Sequence, residues 1–180
     1  MKGTWCGDDG PLVLLRQREA GRWRGICFVN DDGEEDVDED PLTSGRSDYS
    51  RVCLALGEAA QAAVVKFEGG EVLALETTGH QARLVSSPKG LIVAKWVCAP
   101  DEAAANRALV KLPRLEWKKT GVRWRLSARG VVGLLAAAAA GEEGLAATAM
   151  LEKGDYVVET ATYAPAEDTG FVLWRLRRNG

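Results

Sequence analysis

Residues 31–40, DDGEEDVDED, are the part of the sequence with the clearest capacity for chemistry, because eight of these ten positions are carboxylates and none is basic. A run of like charges repels itself and resists packing into a core. We expect the run to lie at the surface, either as a solvated loop or as a surface that a basic partner binds. Its carboxylates are Asp31, Asp32, Glu34, Glu35, Asp36, Asp38, Glu39 and Asp40.

Groups that could catalyse a reaction or hold a metal are scarce elsewhere. The single histidine, His80, lies in the polar stretch TTGHQA, where an exposed turn is a simpler interpretation than a catalytic role. The four cysteines include no CxxC pair, so no zinc-ligand spacing is present. The sequence also lacks GxSxG, GxxxxGK[ST] and a GxGxxG that follows a strand. We therefore predict no enzyme, no metal site, no cofactor and no small-molecule substrate.

Two segments, residues 16–24 and 117–129, combine tryptophan with arginine and lysine, as surfaces that stack nucleic-acid bases do. They contain Trp23, Trp117 and Trp124. A strand that alternates an inward tryptophan with outward charges produces the same pattern, and the net charge of −3 with a pI near 5.4 argues against nucleic acid. A nucleic-acid-binding module, with the acidic run as an internal competitor, is therefore the alternative function.

The acidity of the chain is local. Without the eight acids of residues 31–40, the 26 acidic residues fall to 18 against 23 basic ones, so the remainder carries a formal charge of +5. The first residues, MKGTWCGDDG, lack the apolar region of a secretory signal, and no apolar run reaches the ~18 residues of a membrane span. We expect a cytoplasmic protein with reduced cysteines that does not enter a membrane.

The elements that position these residues are mostly strands. The stretch AAVVKFEGGEVLALE, residues 62–76, predicts a hairpin because its central glycines supply the positive φ of a tight turn. Short apolar runs bounded by glycine or charge predict further strands. These lie at residues 10–15, 24–29, 82–85, 90–97, 155–163 and 170–177.

Helices are fewer than strands. Asp101 is predicted to cap a helix that ends before Pro113, and Ser47 and Asp48 begin a second short helix that runs to Leu56. Residues 131–150 are ambiguous, since alanine favours helix while three glycines interrupt it. We interpret them as a strand at 131–135 that leads into a loop of small residues.

These elements predict an α+β fold that is mainly antiparallel β, in a single domain of residues 1–180. Glycine-led strands at 10–15 and 130–135, and the similar segments GLIVAKWV and GFVLWRLR, indicate an internal duplication with sub-lobes 1–112 and 113–180. Any mainly antiparallel protein repeats such units, however, and this alternative is equally compatible with the pattern.

The order of these motifs resembles the immunity protein 21 family. The most distinctive pieces are Trp5 followed by Gly10-Pro11, and the segment DYSRVC that begins at Asp48. GGEVLALE, KGLIVAKWV, GDYVVET and TGFVLWRL follow in the same order, so the resemblance spans about residues 5–177. The acidic run is an insertion relative to this pattern, and the alanine-rich residues 136–140 also depart from it.

The resemblance implies a mostly β bacterial protein that stays in the cytoplasm and neutralises a cognate toxin of a polymorphic toxin system by binding it. It implies no catalytic residue. We expect the eight carboxylates of residues 31–40 to face a basic toxin surface such as a nuclease cleft. An extended chain advances ~3.3 Å per residue, close to the ~3.4 Å phosphate spacing of a nucleic-acid strand. We also expect Trp23 to be an exposed aromatic anchor.

The simpler alternative gives the acidic run no partner. In that case it is a solvated, partly disordered loop between the strand that ends near Asn30 and the helix near Asp48. A variant has it lying across the protein's own basic residues, which are Arg16, Arg18, Arg22 and Arg24.

Overall fold

The chain folds mainly into antiparallel β-strands in a computed structural model that describes residues 4–7, 10–88, 90–141 and 144–179. The helices are α1 Asp48–Leu56 and α2 Glu102–Leu109, with a 3₁₀ helix at Gln17–Arg22. The predicted α+β class, mainly antiparallel β with short helices, is confirmed. The strands are β1 Leu12–Arg16, β2 Cys27–Val29, β3 Glu35–Val37, β4 Ala62–Phe67, β5 Gly70–Leu75, β6 Ala82–Ser87, β7 Gly90–Cys98, β8 Lys118–Leu126, β9 Gly130–Ala136, β10 Leu145–Leu151, β11 Gly154–Ala166 and β12 Thr169–Arg178.

Two sheets of five strands each contain most of these strands. The first has the order β10-β9-β1-β5-β4 and the second the order β6-β7-β12-β11-β8, while β2 and β3 pair separately as a hairpin. Each sheet combines strands from before and after residue 112, so the predicted sub-lobes 1–112 and 113–180 do not correspond to the sheets. The glycine-led strands β1 and β9, which suggested a repeat, are antiparallel neighbours in the first sheet.

The two sheets pack face to face, and the apolar runs follow from the burial of both faces of their strands. In β1, Leu12 and Leu14 point into the core between the sheets, while Val13 and Leu15 point into a second core on the outer face. All four side chains are fully buried. Because side chains alternate along a strand, a strand covered on both faces has no polar positions. Each such leucine contributes roughly 1.5–3 kcal/mol through burial.

Strands β7 and β12 of the second sheet are also buried on both faces, and their outer face packs against α2. In β12, Trp174 and Leu176 point between the sheets, whereas Phe171 and Leu173 pack with α2 in a third core. The outer face of the first sheet is covered by α1 and the 3₁₀ helix, whose buried residues belong to the second core. The molecule therefore has four layers, with the helical segments outside the two sheets.

Both predicted helices begin where their capping residues indicate. The Ser47 side chain accepts a hydrogen bond from the Ser50 N–H at 3.0 Å, which caps α1. The Asp101 side chain accepts one from the Ala104 N–H at 2.6 Å, which caps α2. Each cap satisfies a backbone donor that has no partner within its helix.

Residues 131–150 contain two strands rather than the one predicted. The strand at 131–135 is confirmed within β9, but the sequence that follows residue 144 forms β10 instead of a loop. The alanines of β10 have low strand propensity, and the strand is held by its pairing with β9. Leu145 lies where a Cβ on Gly133 would be, so this glycine allows the two strands to approach.

Candidate functional site

The acidic run forms the second half of a short hairpin rather than a disordered loop. Strands β2 and β3 pair in the register Cys27 with Val37, Phe28 with Asp36 and Val29 with Glu35. We call β2, β3 and the connecting residues 30–34, together with residues 38–40, the acidic hairpin. Its fold was not predicted, because acidic residues have low strand propensity.

Asn30 closes the turn of the acidic hairpin. Its side-chain oxygen accepts hydrogen bonds from the N–H groups of Asp32 at 3.1 Å and Glu34 at 2.9 Å. The Asn30 N–H donates to the carbonyl oxygen of Glu34, and Gly33 takes a φ of +83°, which a glycine adopts without strain. This local bonding, typical of asparagine, orders a segment whose charges oppose compaction.

The carboxylates of the acidic hairpin are exposed, with the exception of Asp38. Among the ion pairs of the described residues, none includes a carboxylate from residues 31–40. Arg16 and Arg18 pair with Glu19, and Arg24 pairs with Glu68. Among the described residues, no ion pair therefore supports the suggested arrangement in which the acidic run lies across Arg16, Arg18, Arg22 and Arg24.

Asp38 is buried, so its predicted role as a partner-contacting residue is wrong. Only 4% of the residue is exposed. Its carboxylate accepts hydrogen bonds from the Ser44 hydroxyl at 2.5 Å, the Ser47 hydroxyl at 2.7 Å and the Ser47 N–H at 3.2 Å. Because Ser47 is the cap of α1, Asp38 ties the end of the acidic hairpin to the start of that helix.

The bonding around Asp38 favours its charged form. Burial alone would raise the pKa of this carboxyl, but the hydrogen bonds from Ser44 and Ser47 lower it by more, so the pKa lies below its ordinary value. The partial positive charge at the start of α1 acts in the same direction. Asp38 is therefore a structural anion within a run whose other members face solvent.

The segment before β2 is also fastened to α1. The Asp48 carboxylate accepts a hydrogen bond from the Arg24 N–H at 2.8 Å and pairs with Arg51, while the Tyr49 N–H donates to the Gly25 carbonyl at 2.9 Å. A Cβ on Gly10 would lie 2.8 Å from the Tyr49 hydroxyl. The two most distinctive motifs of the resemblance, at Gly10-Pro11 and at Asp48, thus meet in space.

Trp23 lies in the core, so the prediction that it is an exposed anchor is wrong. Only 1% of the residue is exposed, its ring meets Phe67 edge to face at 5.4 Å, and its Nε1–H donates to the Ala137 carbonyl at 3.1 Å. Its basic neighbours in the sequence misled the prediction. The ring belongs to the core on the outer face of the first sheet, with Leu15, Val52 and Leu135.

Exposed apolar side chains accompany the exposed carboxylates. Val29 is 46% exposed, Val37 is 53% exposed and Leu42 is 67% exposed. The strand register places Val29 and Val37 on one face of the acidic hairpin, together with Glu35. Apolar contacts ringed by charge are what a binding surface needs for its anchors. The single valine among the acids, Val37, was the available signal in the sequence.

The basic and aromatic segments do not form a stacking platform. Trp124 is 1% exposed and belongs to the core between the sheets, so the alternation in VRWRL places the aromatic residue inward. Trp117 is half-buried, and the guanidinium carbon of Arg175 lies 4.3 Å from its ring centre. Trp23 is buried as well, so two of the three tryptophans are inaccessible to bases and the third already has a guanidinium over its ring.

Groups suited to catalysis do not converge in the described part of the chain. There, no group of three or more His, Cys, Asp or Glu side chains is placed to hold a metal ion. His80 lies half-buried in the turn after β5, where its N–H donates to the Thr77 carbonyl at 2.9 Å. Across the same ranges, no helix combines the length and apolar character needed to cross a membrane.

Comparisons with known proteins found no similar protein. No family model, no curated protein and no solved structure matches this chain. The resemblance to the immunity protein 21 family stays a prediction that rests on the order of the quoted motifs.

Proposed function

We propose that this protein is a cytoplasmic immunity protein that neutralises a cognate bacterial toxin by direct stoichiometric binding. The observation that carries the proposal is the acidic hairpin, which is anchored to α1 while its exposed carboxylates form no ion pair with any residue that the structure describes. A charge cluster of this kind contributes little to the stability of its own fold. It is suited to a partner that supplies the opposite charge.

Anchoring matters because a pre-ordered surface loses less conformational entropy on binding than a mobile loop does. Asp38 and Asn30 hold the acidic hairpin at its two ends, through Ser47 and through the turn. The exposed carboxylates then steer a basic partner, which raises association rates by ~10-fold or more at low salt. The exposed Val29 and Val37 supply apolar contacts that dissociation must break.

The shape of the acidic hairpin favours a concave basic partner over simple imitation of a nucleic-acid strand. Only Glu35–Val37 is extended, while residues 31–34 belong to a turn and residues 38–40 to the following loop. The charges therefore form a compact projection and not a line with regular spacing. A projection of this form fits a cleft lined with lysine and arginine, such as that of a nuclease.

The nucleic-acid-binding alternative has weaker support. Arg123 and Arg125 of β8 are exposed and face the same side of the second sheet. Arg125 already pairs with Asp155 at 3.4 Å, and the tryptophan between the two arginines is buried. Salt-sensitive retention of DNA or RNA by the purified protein would favour this alternative.

Capture of the product of the adjacent gene, with a growth rescue assay, tests the proposal. We expect one-to-one capture and rescued growth. A variant with the seven exposed acids of residues 31–40 changed to Asn or Gln, the hairpin-neutral variant, should bind at least ~10-fold more weakly. A matched control neutralises seven exposed acids elsewhere and should bind like the wild type. It carries changes at Glu58, Glu71, Glu102, Glu116, Glu152, Glu167 and Asp168. Absence of both capture and rescue with the wild type would contradict the proposal.

A further inference from the structure

A groove of about 1160 Å³ runs between the two sheets on the side where β6 and β10 lie. These strands are the edges of their respective sheets, since β6 pairs with β7 and β10 pairs with β9. Within the described part of the chain β10 has no second partner strand, and the outer edge of β6 is open beyond Ala82, which forms an antiparallel bridge with Cys6. This surface is separate from the acidic hairpin, none of whose residues lines it.

The open edge of β10 lacks the devices that usually protect edge strands. Its sequence, LAATAML, contains no charged residue and no proline. Its register shift lies at one end, between Leu145 and Ala147, and leaves Thr148–Leu151 regularly paired with β9. Alternate backbone N–H and C=O groups of an edge strand point away from its neighbour. Such an edge is a template for an added strand.

The rim of the groove is basic. Arg83, Arg177 and Arg178 line it, against the single acid Glu152, which pairs with Arg129 at 3.0 Å. Arg177 already pairs with Glu159 at 3.2 Å, so Arg83 and Arg178 are the rim cations without an ion pair among the described residues. The Nε of Arg83 is buried and has no hydrogen-bond acceptor among the described residues. Arg178 is exposed and forms no ion pair within the described ranges. The charge of the rim therefore favours an occupant that carries carboxylates.

The floor and walls of the groove are mainly apolar, with Ser86, Ser87 and Thr148 among the lining residues. Leu84 and Leu91 from the second sheet, Leu109 from α2 and the alanines of β10 contribute side chains to it. Met150 of β10 is 54% exposed at the groove, and Val110, just after α2, is 85% exposed. An occupant with small apolar residues on one side and acids on the other matches both the floor and the rim, and strand alternation produces this division.

We propose that this groove binds an extended, acidic segment of a partner protein, which adds to the open edge of β10 as a further strand. Main-chain hydrogen bonds to β10 supply affinity that does not depend on the sequence of the bound segment. Its alternate side chains contact the apolar floor and the arginine rim, and these contacts supply selectivity. The proposal does not depend on the toxin-binding role of the acidic hairpin.

A labelled, acetylated and amidated peptide of alternating valine and glutamate is the probe, with fluorescence anisotropy as the readout. We expect saturable binding to the full chain. Two matched peptides test the mode of binding: one replaces glutamate with lysine, and one is N-methylated at alternate residues to remove the donors of the added strand. Both should bind at least ~10-fold more weakly. The first loses the attraction between its carboxylates and the rim arginines, and the second loses the main-chain hydrogen bonds to β10. The hairpin-neutral variant should bind the parent peptide unchanged.

Variants at exposed positions locate the binding without disturbing the core. Met150→Glu should weaken peptide binding at least ~10-fold by charging the edge, and Arg178→Glu should weaken it through the rim. Met150→Leu is the matched control and should bind like the wild type. Absence of peptide binding, equal binding of the N-methylated peptide, or unchanged binding by Met150→Glu would overturn the proposal. Preference for an oligonucleotide of equal charge over the peptide would overturn it as well.

Discussion

Two groups of carboxylates in this protein have opposite electrostatic surroundings. Glu159 on β11 is 5% exposed and accepts hydrogen bonds from Arg175 at 2.9 and 2.5 Å and from Arg177 at 3.2 Å. The acidic hairpin has more carboxylates, yet none forms an ion pair with a described residue. The negative charge of Glu159 is neutralised by arginines of the same fold, whereas the charges of the acidic hairpin face solvent, where a partner can bind them.

The difference indicates which charges the fold requires. A charge removed from water is strongly unfavourable unless cations or hydrogen-bond donors replace the solvent. Glu159 meets this condition through its arginines, and Asp38 meets it through Ser44 and Ser47. Asp38 therefore belongs with Glu159 by its surroundings, although its sequence neighbours are the exposed acids. The remaining acids of the run stay exposed to water, and their described side-chain hydrogen bonds are local ones, from the Val37 N–H to Asp36 and from the Thr43 hydroxyl to Asp40.

Glu159→Gln should have the largest effect on stability. It leaves Arg175, whose side chain is 13% exposed, without its anionic partner. We expect a loss of about 3 kcal/mol in the free energy of unfolding, measured by denaturant titration. Asp155→Asn is the matched control, since the pair of Asp155 with Arg125 is largely exposed and should cost less than about 0.5 kcal/mol. Equal effects of the two changes would remove the contrast between compensated and exposed carboxylates.

Asp38→Ala should have the next largest effect. It removes the acceptor for Ser44 and Ser47 and leaves buried donors near the start of α1 without a partner. We expect a loss of about 2 kcal/mol in the free energy of unfolding. Asp36→Asn, two residues earlier in the same run and exposed, should change it by less than about 0.5 kcal/mol. An unchanged free energy of unfolding for Asp38→Ala would contradict a structural role for the Asp38 carboxylate.

Stability should fall in acid through the buried carboxyls of Glu159 and Asp38. Burial would raise the pKa of Glu159, but the hydrogen bonds and charges of Arg175 and Arg177 lower it by more, so it lies below its ordinary value. The pKa of Asp38 is lowered as well. A lowered folded-state pKa means that the unfolded chain binds the proton first. The contribution is therefore complete above the ordinary values of 4.5 and 3.8 and is lost as pH falls through the folded-state values. Denaturant titrations between pH 7 and pH 3 should show a smaller loss for Asp38→Ala than for the wild type.

The hairpin-neutral variant should change stability less than either substitution of a buried acid. Its substitutions are exposed and remove mutual repulsion, so the free energy of unfolding should stay within about 1 kcal/mol of the wild type or rise slightly. Circular dichroism during thermal unfolding checks this result. A large loss of stability would mean that the exposed acids are structural after all.

Local sequence patterns predicted much of the sheet scaffold. The hairpin expected at 62–76 is β4 and β5, with Gly70 at a φ of +138°. Ser47 and Asp101 cap the helices that they were predicted to cap. These elements depend on neighbours in the chain or on runs of apolar residues that few other structures accommodate.

The candidate site was less predictable because distant contacts determine it. The burial of Asp38 depends on Ser47, nine residues away, and Trp23 is covered through contacts with Phe67 and Ala137. Nothing in the local composition distinguishes Asp38 from the acids on either side of it. The edge strand β10 likewise depends on pairing with β9, which outweighs the low strand propensity of alanine.

The association rate between this protein and the product of the adjacent gene, measured from low to high salt, tests the central claim most directly. If the exposed acids serve a partner, the wild type and the control with neutralised acids elsewhere should associate rapidly at low salt and slow steeply as salt is added. The hairpin-neutral variant should associate at least ~10-fold more slowly at low salt, with a nearly flat salt dependence. Identical rates and salt dependence for all three proteins would contradict the claim that the acidic hairpin faces a basic partner.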